Sequence, residues 1–384
     1  MMSKKIIHQL SLSAMGGVQR SFIPYLFHVL KKGNLHHRIY SMHDLGDQFI
    51  EVKNYHNNIN KSLISKIKFF FFLISKNYII HFYNNLGSSS VNKLLKFIPY
   101  SNIIFHERGA AWTAKDKDIK TYKSNALKAE IILANSNASK IMLIKRFGID
   151  KRKIKVIYNG FLSKDYKFIP KNNSRYSERL SVGYGGRLDI PKGVHVFLES
   201  AKKLPKYDFF IAGEGVLEDI LKKSANNYKN IHFLGNIKEP LDFISKMDII
   251  VTPSIREPLG NIIIEAGYCK KAVIASNVDG IPEIITDGVS GILINPDKKI
   301  SFNSIPNNAS PMPEVVIDPK TQELTKPKEI DPLKLCESIV LLASSSNMRR
   351  LYGENLYKTV IEKFNIENYY ESVEKIYENL LKNE

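Results

Sequence analysis

Two kinds of hydrophobic pattern alternate along the chain. Short apolar runs predict buried strands, and apolar residues at three- and four-residue spacing predict amphipathic helices. In the first helix, predicted over 18–32, Phe22, Tyr25, Leu26 and Val29 share one face, and a glycine follows the helix. Strands that alternate with helices favour a parallel α/β sheet. In this half of the chain, strands are predicted at 4–13, 38–42, 78–83, 102–106, 131–135 and 154–158.

A second alternation begins at residue 180, after a polar and irregular segment. We therefore predict an α/β fold with two Rossmann-like domains, residues 1–165 and 180–364, joined by a linker at 166–179. Doubly wound sheets bind ligands beyond the carboxyl ends of their strands, and two facing sheets would hold a ligand in the cleft between them. The second domain has predicted strands at 180–184, 208–212, 231–234, 248–252 and 272–275, and helices at 194–204, 216–225, 241–247 and 261–269.

A Pro- and Asn-rich segment, residues 298–332, interrupts the second domain. Connections of this length without a pattern of their own are uncommon. We predict a surface insertion, and whether it is structured stays open. The chain then becomes helical at 335–344, 348–364 and 369–381, with residues 365–384 as a separate last element.

The net charge of +18 changes the expected partners. Residues 1–165 hold 27 Lys and Arg against 9 Asp and Glu, so this part carries the whole excess. A one-sided basic surface indicates an anionic partner: nucleic acid, anionic lipid or a phosphorylated substrate. The run Phe69–Phe72, with Lys61, Lys66, Lys68 and Lys76 nearby, fits a helix lying on a membrane surface. A core helix with solvated lysines fits it as well.

Two cysteines, Cys269 and Cys336, lie far apart and provide neither a disulfide framework nor a metal-binding spacing. A reducing cytoplasm is therefore the expected location. The first apolar run is too short and too polar for a signal sequence. The longest apolar cluster, 67–75, contains Lys68 and is far below the roughly 18 residues of a membrane-spanning helix.

The main candidate functional residues are two glutamates, Glu257 and Glu265, in the stretch T-P-S-I-R-E-P-L-G-N-I-I-I-E-A-G. Glu257 is predicted in a loop before a helix and Glu265 inside that helix. If helical throughout, eight steps span roughly 12 Å, whereas paired glycosidase carboxylates lie roughly 5–9.5 Å apart. The wide spacing suits two separate contacts, one from each glutamate, with an elongated ligand whose anionic middle faces the helix N-terminus. The alternative is one exposed loop carboxylate and one satisfied helix carboxylate.

Three glycine-rich turns follow predicted strands. Gly16 and Gly17 open the first helix, where backbone N–H groups can approach a phosphate. The full G-x-G-x-x-G pattern is absent, which argues against a dinucleotide cofactor. The richest turn is G-Y-G-G-R-L-D-I-P-K-G, in which Gly186 allows close backbone approach and Arg187 and Lys192 can bind a diphosphate. A third turn, A-G-E-G, follows the next strand.

Two further candidates are weaker. His106 ends a predicted strand and would face the ligand edge of the sheet, although a packed histidine fits equally. Asp116 and Asp118 have the spacing of a metal-binding pair, but they lie in a lysine-rich stretch without a third ligand. We interpret them as a solvated loop and predict no metal site.

Five motifs, in one consistent order, resemble the retaining GT-B glycosyltransferases of family four. They are G-R-L-x-x-x-K-G, A-G-E-G, E-P-L-G-x-x-x-x-E-A, D-G-I-P-E-I-I and D-G-x-x-G. The resemblance covers nearly the whole chain. It implies a GT-B fold, with two Rossmann-like domains facing across a cleft and a last helix that crosses back to the first domain.

The resemblance also implies roles. Arg187 and Lys192 would neutralise the diphosphate of a nucleotide-sugar, Glu257 would hold the donor sugar and Glu265 the ribose. His106 would lie beside the reacting centre, and no metal or other cofactor would be needed. The remaining donor-binding positions implied are Gly16, Gly17, Gly186, Leu259, Gly260 and Asn261.

The implied function is retaining transfer of a sugar, with a UDP-sugar favoured as donor, to a glycan or lipid-linked acceptor in bacterial lipopolysaccharide or capsule synthesis. The basic first domain makes an anionic membrane a candidate partner, so we expect a cytoplasmic protein that can lie on the inner face of the membrane. Two alternatives stay open: a GT-B sugar-nucleotide 2-epimerase, and a nucleic-acid-binding module. The second lacks any helix-turn-helix, finger or aromatic-strand signature, so we expect no nucleic-acid partner.

Overall fold

A computed structural model describes residues 5–14, 16–33, 35–98, 102–161, 176–302, 306 and 308–382. The chain divides into two compact units. Unit 1 is Met1–Ser163 with Asn365–Glu384, and unit 2 is Lys164–Phe364. Most of the predicted linker, 166–175, lies outside the described residues. Each unit is built on a parallel sheet, which confirms the predicted α/β class.

Unit 1 contains a seven-stranded parallel sheet in the order β3-β2-β1-β4-β5-β6-β7. The order reverses between β1 and β4, so the carboxyl ends of these two strands mark the ligand edge expected of a Rossmann-like sheet. The elements are β1 Lys5–Gln9, α1 Gly17–Lys32, β2 His36–Ser41, β3 His56–Asn58, α2 Leu63–Ile74, β4 Tyr78–Tyr83, α3 Ser89–Leu95, β5 Ile103–Glu107, α4 Ile119–Lys128, β6 Ile131–Ala134, α5 Asn137–Lys145 and β7 Ile154–Val156.

Unit 2 contains a six-stranded parallel sheet in the order β10-β9-β8-β11-β12-β13, which reverses between β8 and β11. The strands are β8 Ser181–Gly185, β9 Asp208–Ala212, β10 Ile231–Gly235, β11 Ile249–Thr252, β12 Ala272–Ser276 and β13 Ile292–Ile294. The helices are α6 Val194–Lys203, α7 Glu218–Ala225, α8 Pro240–Ser245, α9 Asn261–Tyr268, α10 Pro332–Ser344 and α11 Ser346–Lys363.

Helix α12, Ile366–Lys382, completes the core of unit 1 although it follows unit 2 in the chain. Its residues Tyr369, Val373 and Tyr377 are fully buried and share one hydrophobic cluster with Phe22 and Tyr25 of α1. Helix α12 also forms an ion pair with α1, in which the Lys32 Nζ lies 2.6 Å from a Glu374 carboxylate oxygen. The prediction that the last helix packs on the first domain is therefore confirmed.

The predicted insertion is structured where it is described. Its two ends are joined by an antiparallel bridge between Lys298 and Glu329. A short hairpin lies between them, formed by β14, Val316–Ile317, and β15, Leu324–Thr325. Both residues of β14 are buried, so this strand packs against unit 2, while residues 320–323 of the turn are exposed.

Candidate functional site

The candidate residues of unit 2 lie where the strand order of its sheet reverses. Strands β8 and β11 are neighbours, and their carboxyl ends lead into the loops that carry Arg187 and Lys192 on one side and Glu257 on the other. The switch point of a doubly wound sheet is where such folds bind ligands. The chain therefore brings two cations and one carboxylate together at this edge of the sheet.

Glycines allow the loops at this edge to touch through their backbones. A Cβ atom on Gly193 would lie 1.8 Å from the Pro253 carbonyl oxygen, and one on Gly213 would lie 1.9 Å from the Gly186 carbonyl oxygen. Gly193 and Gly213 also have positive φ angles of 67° and 133°. The loop after β8 therefore packs against the loops after β9 and β11, which fixes the positions of its side chains.

Lys192 and Glu257 meet in an ion pair. The Lys192 Nζ lies 2.6 Å from a carboxylate oxygen of Glu257, and 28% of the lysine side chain is exposed, compared with 9% of the glutamate. The Ser254 hydroxyl donates to the same carboxylate oxygen at 3.2 Å. The sequence analysis predicted both residues as donor-binding but did not predict that they pair directly with each other.

Arg187 is exposed, and its guanidinium donates to the Ser310 hydroxyl at 3.4 Å. The backbone of its loop is held by Tyr184, whose hydroxyl donates to the Arg187 carbonyl at 2.8 Å. Burial raises the pKa of Tyr184, and the Glu257 and Asp189 carboxylates raise it further, so the hydroxyl stays protonated.

Arg256 is a second cation beside the pair and was not predicted. Burial lowers the pKa of Arg256, the adjacent Glu257 carboxylate raises it, and the Arg187 charge lowers it. Because the charges of Glu257 and Arg187 both act on it, Arg256 belongs to the same site as the predicted residues. The signal in the sequence was a basic residue directly before the loop glutamate and four residues after a predicted strand.

Glu265 lies in the second turn of α9 and is buried. The helix begins at Asn261, directly after Gly260, whose φ of 111° forms the turn from the Glu257 loop into the helix. Leu259 is buried and Asn261 is half-buried at this helix N-terminus. The structure thus confirms the loop-to-helix arrangement predicted for this stretch, while the ligand contacts assigned to it stay predictions.

The remaining candidates belong to unit 1. Gly16 and Gly17 precede and begin α1, as predicted. Arg108, which the sequence analysis did not single out, donates to the Gly17 carbonyl at 3.2 Å and to the Ser21 hydroxyl at 2.6 Å. An arginine thus fixes the first turn of α1, beside the ligand edge of this sheet.

His106 lies at the carboxyl end of β5 and is almost fully buried. Within the described residues, neither of its ring nitrogens has a hydrogen-bond partner. Its ring stacks on that of His81 with centroids 5.4 Å apart. Burial and the Arg108 charge hold the pKa of His106 well below its usual range, so the imidazole is neutral near pH 7.

The aspartate pair resembling a metal site makes contacts within the protein. Asp116 lies 3.5 Å from the Arg146 guanidinium, and Asp118 accepts from the Lys115 backbone N–H at 2.8 Å. Across the described residues, no group of three or more His, Cys, Asp or Glu side chains is placed to hold a metal ion.

In the same part of the chain, every helix is too short or too polar to cross a bilayer.

The family comparison covers the part of the chain that holds Arg187, Lys192, Glu257 and Glu265. Residues 165–305 match the family described as glycosyl transferases group 1. An uncharacterized glycosyltransferase of Methanocaldococcus jannaschii is 26% identical over 66% of this chain and 59% of its own length. The capsular polysaccharide biosynthesis glycosyltransferase CapM of Staphylococcus aureus is 24% identical over 67% of this chain and 61% of its own length. The chain thus spans about three fifths of these relatives.

Solved structures extend the likeness to the whole fold. HepE from Anabaena, in complex with UDP-glucose, superposes with a TM-score of 0.73 and 17% identity over 98% of this chain and all of that one. A glycosyltransferase from Rickettsia africae gives a TM-score of 0.72 and 23% identity over the full length of both chains. Residues 165–305 are therefore similar to group 1 glycosyl transferases, and the chain has the fold of the GT-B glycosyltransferases.

Proposed function

We propose that this protein is a retaining glycosyltransferase that moves a sugar from a nucleoside-diphosphate sugar, UDP-sugar being favoured, to a glycan or glycolipid of a bacterial surface polysaccharide. The observation that carries the proposal is the Lys192–Glu257 ion pair beside Arg187, at the switch point of the unit 2 sheet. The UDP-glucose bound to HepE supports the choice of donor, and the capsular pathway of CapM supports the choice of product.

The charges of the site suit a departing diphosphate. Negative charge grows on the leaving phosphates as the sugar becomes cationic, and fixed cations stabilise that charge best where water is excluded. Arg187 and Lys192 would supply this stabilisation. The Glu257 carboxylate would accept hydrogen bonds from sugar hydroxyls, and Glu265 from the ribose. Holding donor and acceptor in place would supply much of the remaining acceleration.

The retaining course comes from the resemblance to the GT-B glycosyltransferases of family four, and the side chains of the site are compatible with it. Glu257 is paired with Lys192 and would bind sugar hydroxyls, so we assign it no attack on the anomeric carbon. The acceptor would then approach on the face that the diphosphate leaves, and a leaving phosphate oxygen would take the acceptor proton. The two cations would serve where a metal ion serves in other transferases. His106, as a neutral imidazole, would contact the sugar by hydrogen bonding.

The deciding experiment replaces Lys192 with alanine. Transfer from a panel of UDP-sugars to a lipid and glycan extract should fall at least about a hundredfold, because one fixed charge at a developing anion is worth about 3 kcal/mol. Lys222→Ala is the matched control, since Lys222 forms an exposed ion pair with Glu218 on α7. Near-normal transfer by a folded Lys192→Ala protein would refute the assignment. Incubation with donor alone separates transfer from epimerisation.

We further propose that unit 1 brings the enzyme to an anionic membrane surface through α2. Leu63, Ile64, Ile67 and Phe71 recur at one-, three- and four-residue spacing, which places them on one face of this helix. Each is between 57% and 72% exposed, while Phe69 and Leu73 are buried on the other side.

Lysines border the exposed face of α2. Lys66 and Lys68 flank Ile67 in sequence, so each lies about 100° around the helix from it, on opposite sides. Both lysines are exposed. An apolar face bordered by lysines is the arrangement that inserts into the headgroup boundary of an anionic bilayer. The same surface would keep the enzyme close to a lipid-linked acceptor.

A further inference from the structure

The described part of the insertion contacts the donor site at two places. We name residues 308–325 the insertion arm. At its start, the Ser310 hydroxyl accepts from Arg187 at 3.4 Å, and the Ser310 N–H donates to the Asp189 carboxylate at 3.2 Å. Asp189 itself lies in the loop that carries both candidate cations. One end of the arm therefore touches the residues assigned to the diphosphate.

The other contact runs through Asp279. One carboxylate oxygen of this residue accepts from the Ile317 N–H at 2.7 Å, and the other accepts from the Glu257 N–H at 2.9 Å. The backbone N–H of Asp279 donates to the Ile317 carbonyl at 3.1 Å. One buried carboxylate thus connects the arm to the backbone of the glutamate assigned to the donor sugar.

The hairpin of the arm is built to make this contact. Inside the hairpin, the Asp318 N–H donates to the Glu323 carbonyl, which closes the turn. Ile317, one residue earlier, directs its own N–H and carbonyl to Asp279 instead. The outer edge of β14 therefore bonds Asp279 twice, once through its carboxylate and once through its backbone N–H, and burial of Val316 and Ile317 holds the strand there.

Asp279 adopts a backbone conformation that few side chains tolerate. Its φ is 48°, in the left-handed region, which aspartate enters more readily than most residues because of its short polar side chain. The following residue, Gly280, donates its N–H to the Glu257 carbonyl at 3.1 Å. Both backbone groups of Glu257 are thus held by the turn at 279–280.

We propose that the insertion arm is a donor-specificity element and that Asp279 is the positioning residue through which it acts on Glu257. This inference rests on the proposed glycosyltransferase function. The backbone of the sugar-binding carboxylate is fixed by Asp279. A change in the contact between the arm and Asp279 therefore moves the sugar contact and leaves the nucleotide contact at Glu265 in place. The arm would thus determine which sugar of a UDP-sugar is accepted.

The test measures binding of UDP, UDP-glucose, UDP-galactose and UDP-N-acetylglucosamine by calorimetry. Asp279→Gly removes the carboxylate, and glycine suits the positive φ, so the variant should fold. We expect its affinity for UDP to stay within about twofold of wild type. Its affinity for the preferred UDP-sugar should fall about tenfold, the value of a hydrogen bond to a charged group, and its discrimination among the three sugars should narrow.

Two further variants complete the design. Asp279→Asn keeps one accepting oxygen and tolerates the same φ, so it should lose part of the sugar preference and decides the question if the glycine variant is unfolded. Asp318→Asn is the matched control, because Asp318 accepts only local N–H groups of its own turn among the contacts described, those of Lys320 and Thr321. It should leave both affinities unchanged.

The outcomes separate the inference from its premise. Wild-type affinity of both Asp279 variants for every UDP-sugar would overturn the positioning role, as would an equal loss for UDP and UDP-sugars. If the wild-type protein binds neither UDP nor any UDP-sugar, the proposed function itself is wrong.

Discussion

At the scale of single residues, Gly193 is what allows Lys192 to reach Glu257. The backbone of Gly193 passes so close to the Pro253 carbonyl that no side chain fits, and its φ is 67°. The sequence indicated this glycine as part of a turn that binds phosphate. The structure adds a second reason for it, which is contact between the loops that follow β8 and β11.

Gly193→Ala should therefore destabilise unit 2 and weaken the ion pair. The matched control is Gly288→Ala, because Gly288 has a similar φ of 70° but nothing within 4 Å of an added Cβ. The control should lose about 1 kcal/mol of unfolding free energy from the left-handed conformation alone. Urea unfolding should show a clearly larger loss for Gly193→Ala, and equal losses would contradict the close approach.

Four buried histidines of unit 1 predict a dependence of stability on pH. Burial lowers the pKa of His37 to about 4, and burial holds the pKa values of His8, His81 and His106 well below their usual range. In the unfolded chain a histidine titrates near 6.5. Below that pH the unfolded state binds protons that the folded state does not, so stability is lost as the pH falls.

For His37 this loss extends from about pH 6.5 down to about pH 4, the pKa in the folded protein. Its contribution is about 1.4 kcal/mol of unfolding free energy for each pH unit. His37→Gln should be less stable near pH 7, because His37 accepts or donates a 2.9 Å hydrogen bond with His8. The difference from wild type should shrink between pH 7 and 5. Parallel stability curves would show that His37 titrates normally.

Sequence reasoning found the residues of the site that stand out by their own chemistry. Arg187, Lys192 and Glu257 are charged residues in glycine-rich loops after strands, and motif order identified them. It missed Tyr184, Arg256 and Asp279 as members of the site. Their positions depend on which loops contact each other and on which side chains are buried. The spacing of residues along the sequence predicts neither.

At the scale of elements, buried strands of mostly apolar residues were predicted best. The strand over 208–212 and the strand over 78–83 have the predicted bounds, because each is a mostly apolar run in a buried sheet. Helix α7 begins at Glu218, two residues later than predicted. The reason is tertiary: the N–H of Leu217 donates to the Leu188 carbonyl, which fixes the preceding turn against the loop after β8.

The short strands were missed for a different reason. Strands β3 and β13 have three residues each, and β14 and β15 have two. Such runs are below the length at which alternation can be distinguished from chance. Their pairing partners define them, and these partners lie far away in sequence or on the other side of a turn.

Helix α12 provides a prediction at this scale. Ile376 is 3% exposed in the cluster that α12 shares with α1, so Ile376→Ala should cost about 2–5 kcal/mol of unfolding free energy. Lys375→Ala, at an exposed neighbour on the same helix, should change it by less than about 0.5 kcal/mol. Chemical denaturation of the full chain measures both. An unchanged stability in Ile376→Ala would mean that α12 is not part of the unit 1 core.

At the scale of the whole molecule, charge and exposed apolar surface lie in the same unit. The basic excess falls within residues 1–165, and so does the exposed face of α2. The sequence left two interpretations of the phenylalanine run open: the core interpretation holds for one side of α2, and the membrane interpretation stays a prediction. One side of α2 packs into the unit, and the other side is exposed.

The membrane proposal predicts flotation with vesicles containing anionic lipid at low salt. Binding should fall steeply when salt is raised from 0.05 to 0.5 M, because charges are screened beyond a few Å at high ionic strength. Ile64→Ser with Phe71→Ser should abolish it. The matched control is Leu127→Ser with Leu351→Ser, two leucines that are 77% and 54% exposed on other helices. Absence of flotation by the wild-type protein at low salt would end the proposal.

The division of the chain has a consequence for its synthesis. Helix α12 belongs to unit 1, yet the ribosome makes it only after the 164–364 unit. At 5–20 residues per second, the nascent first unit waits roughly 10–40 s for that helix. Until then Tyr25 lacks Tyr369 and Tyr370, the α12 rings that contact it in the finished protein. The later unit, continuous in sequence, can therefore mature before the earlier one, and during that interval the newborn chain exposes the face of α1 that α12 covers in the finished protein.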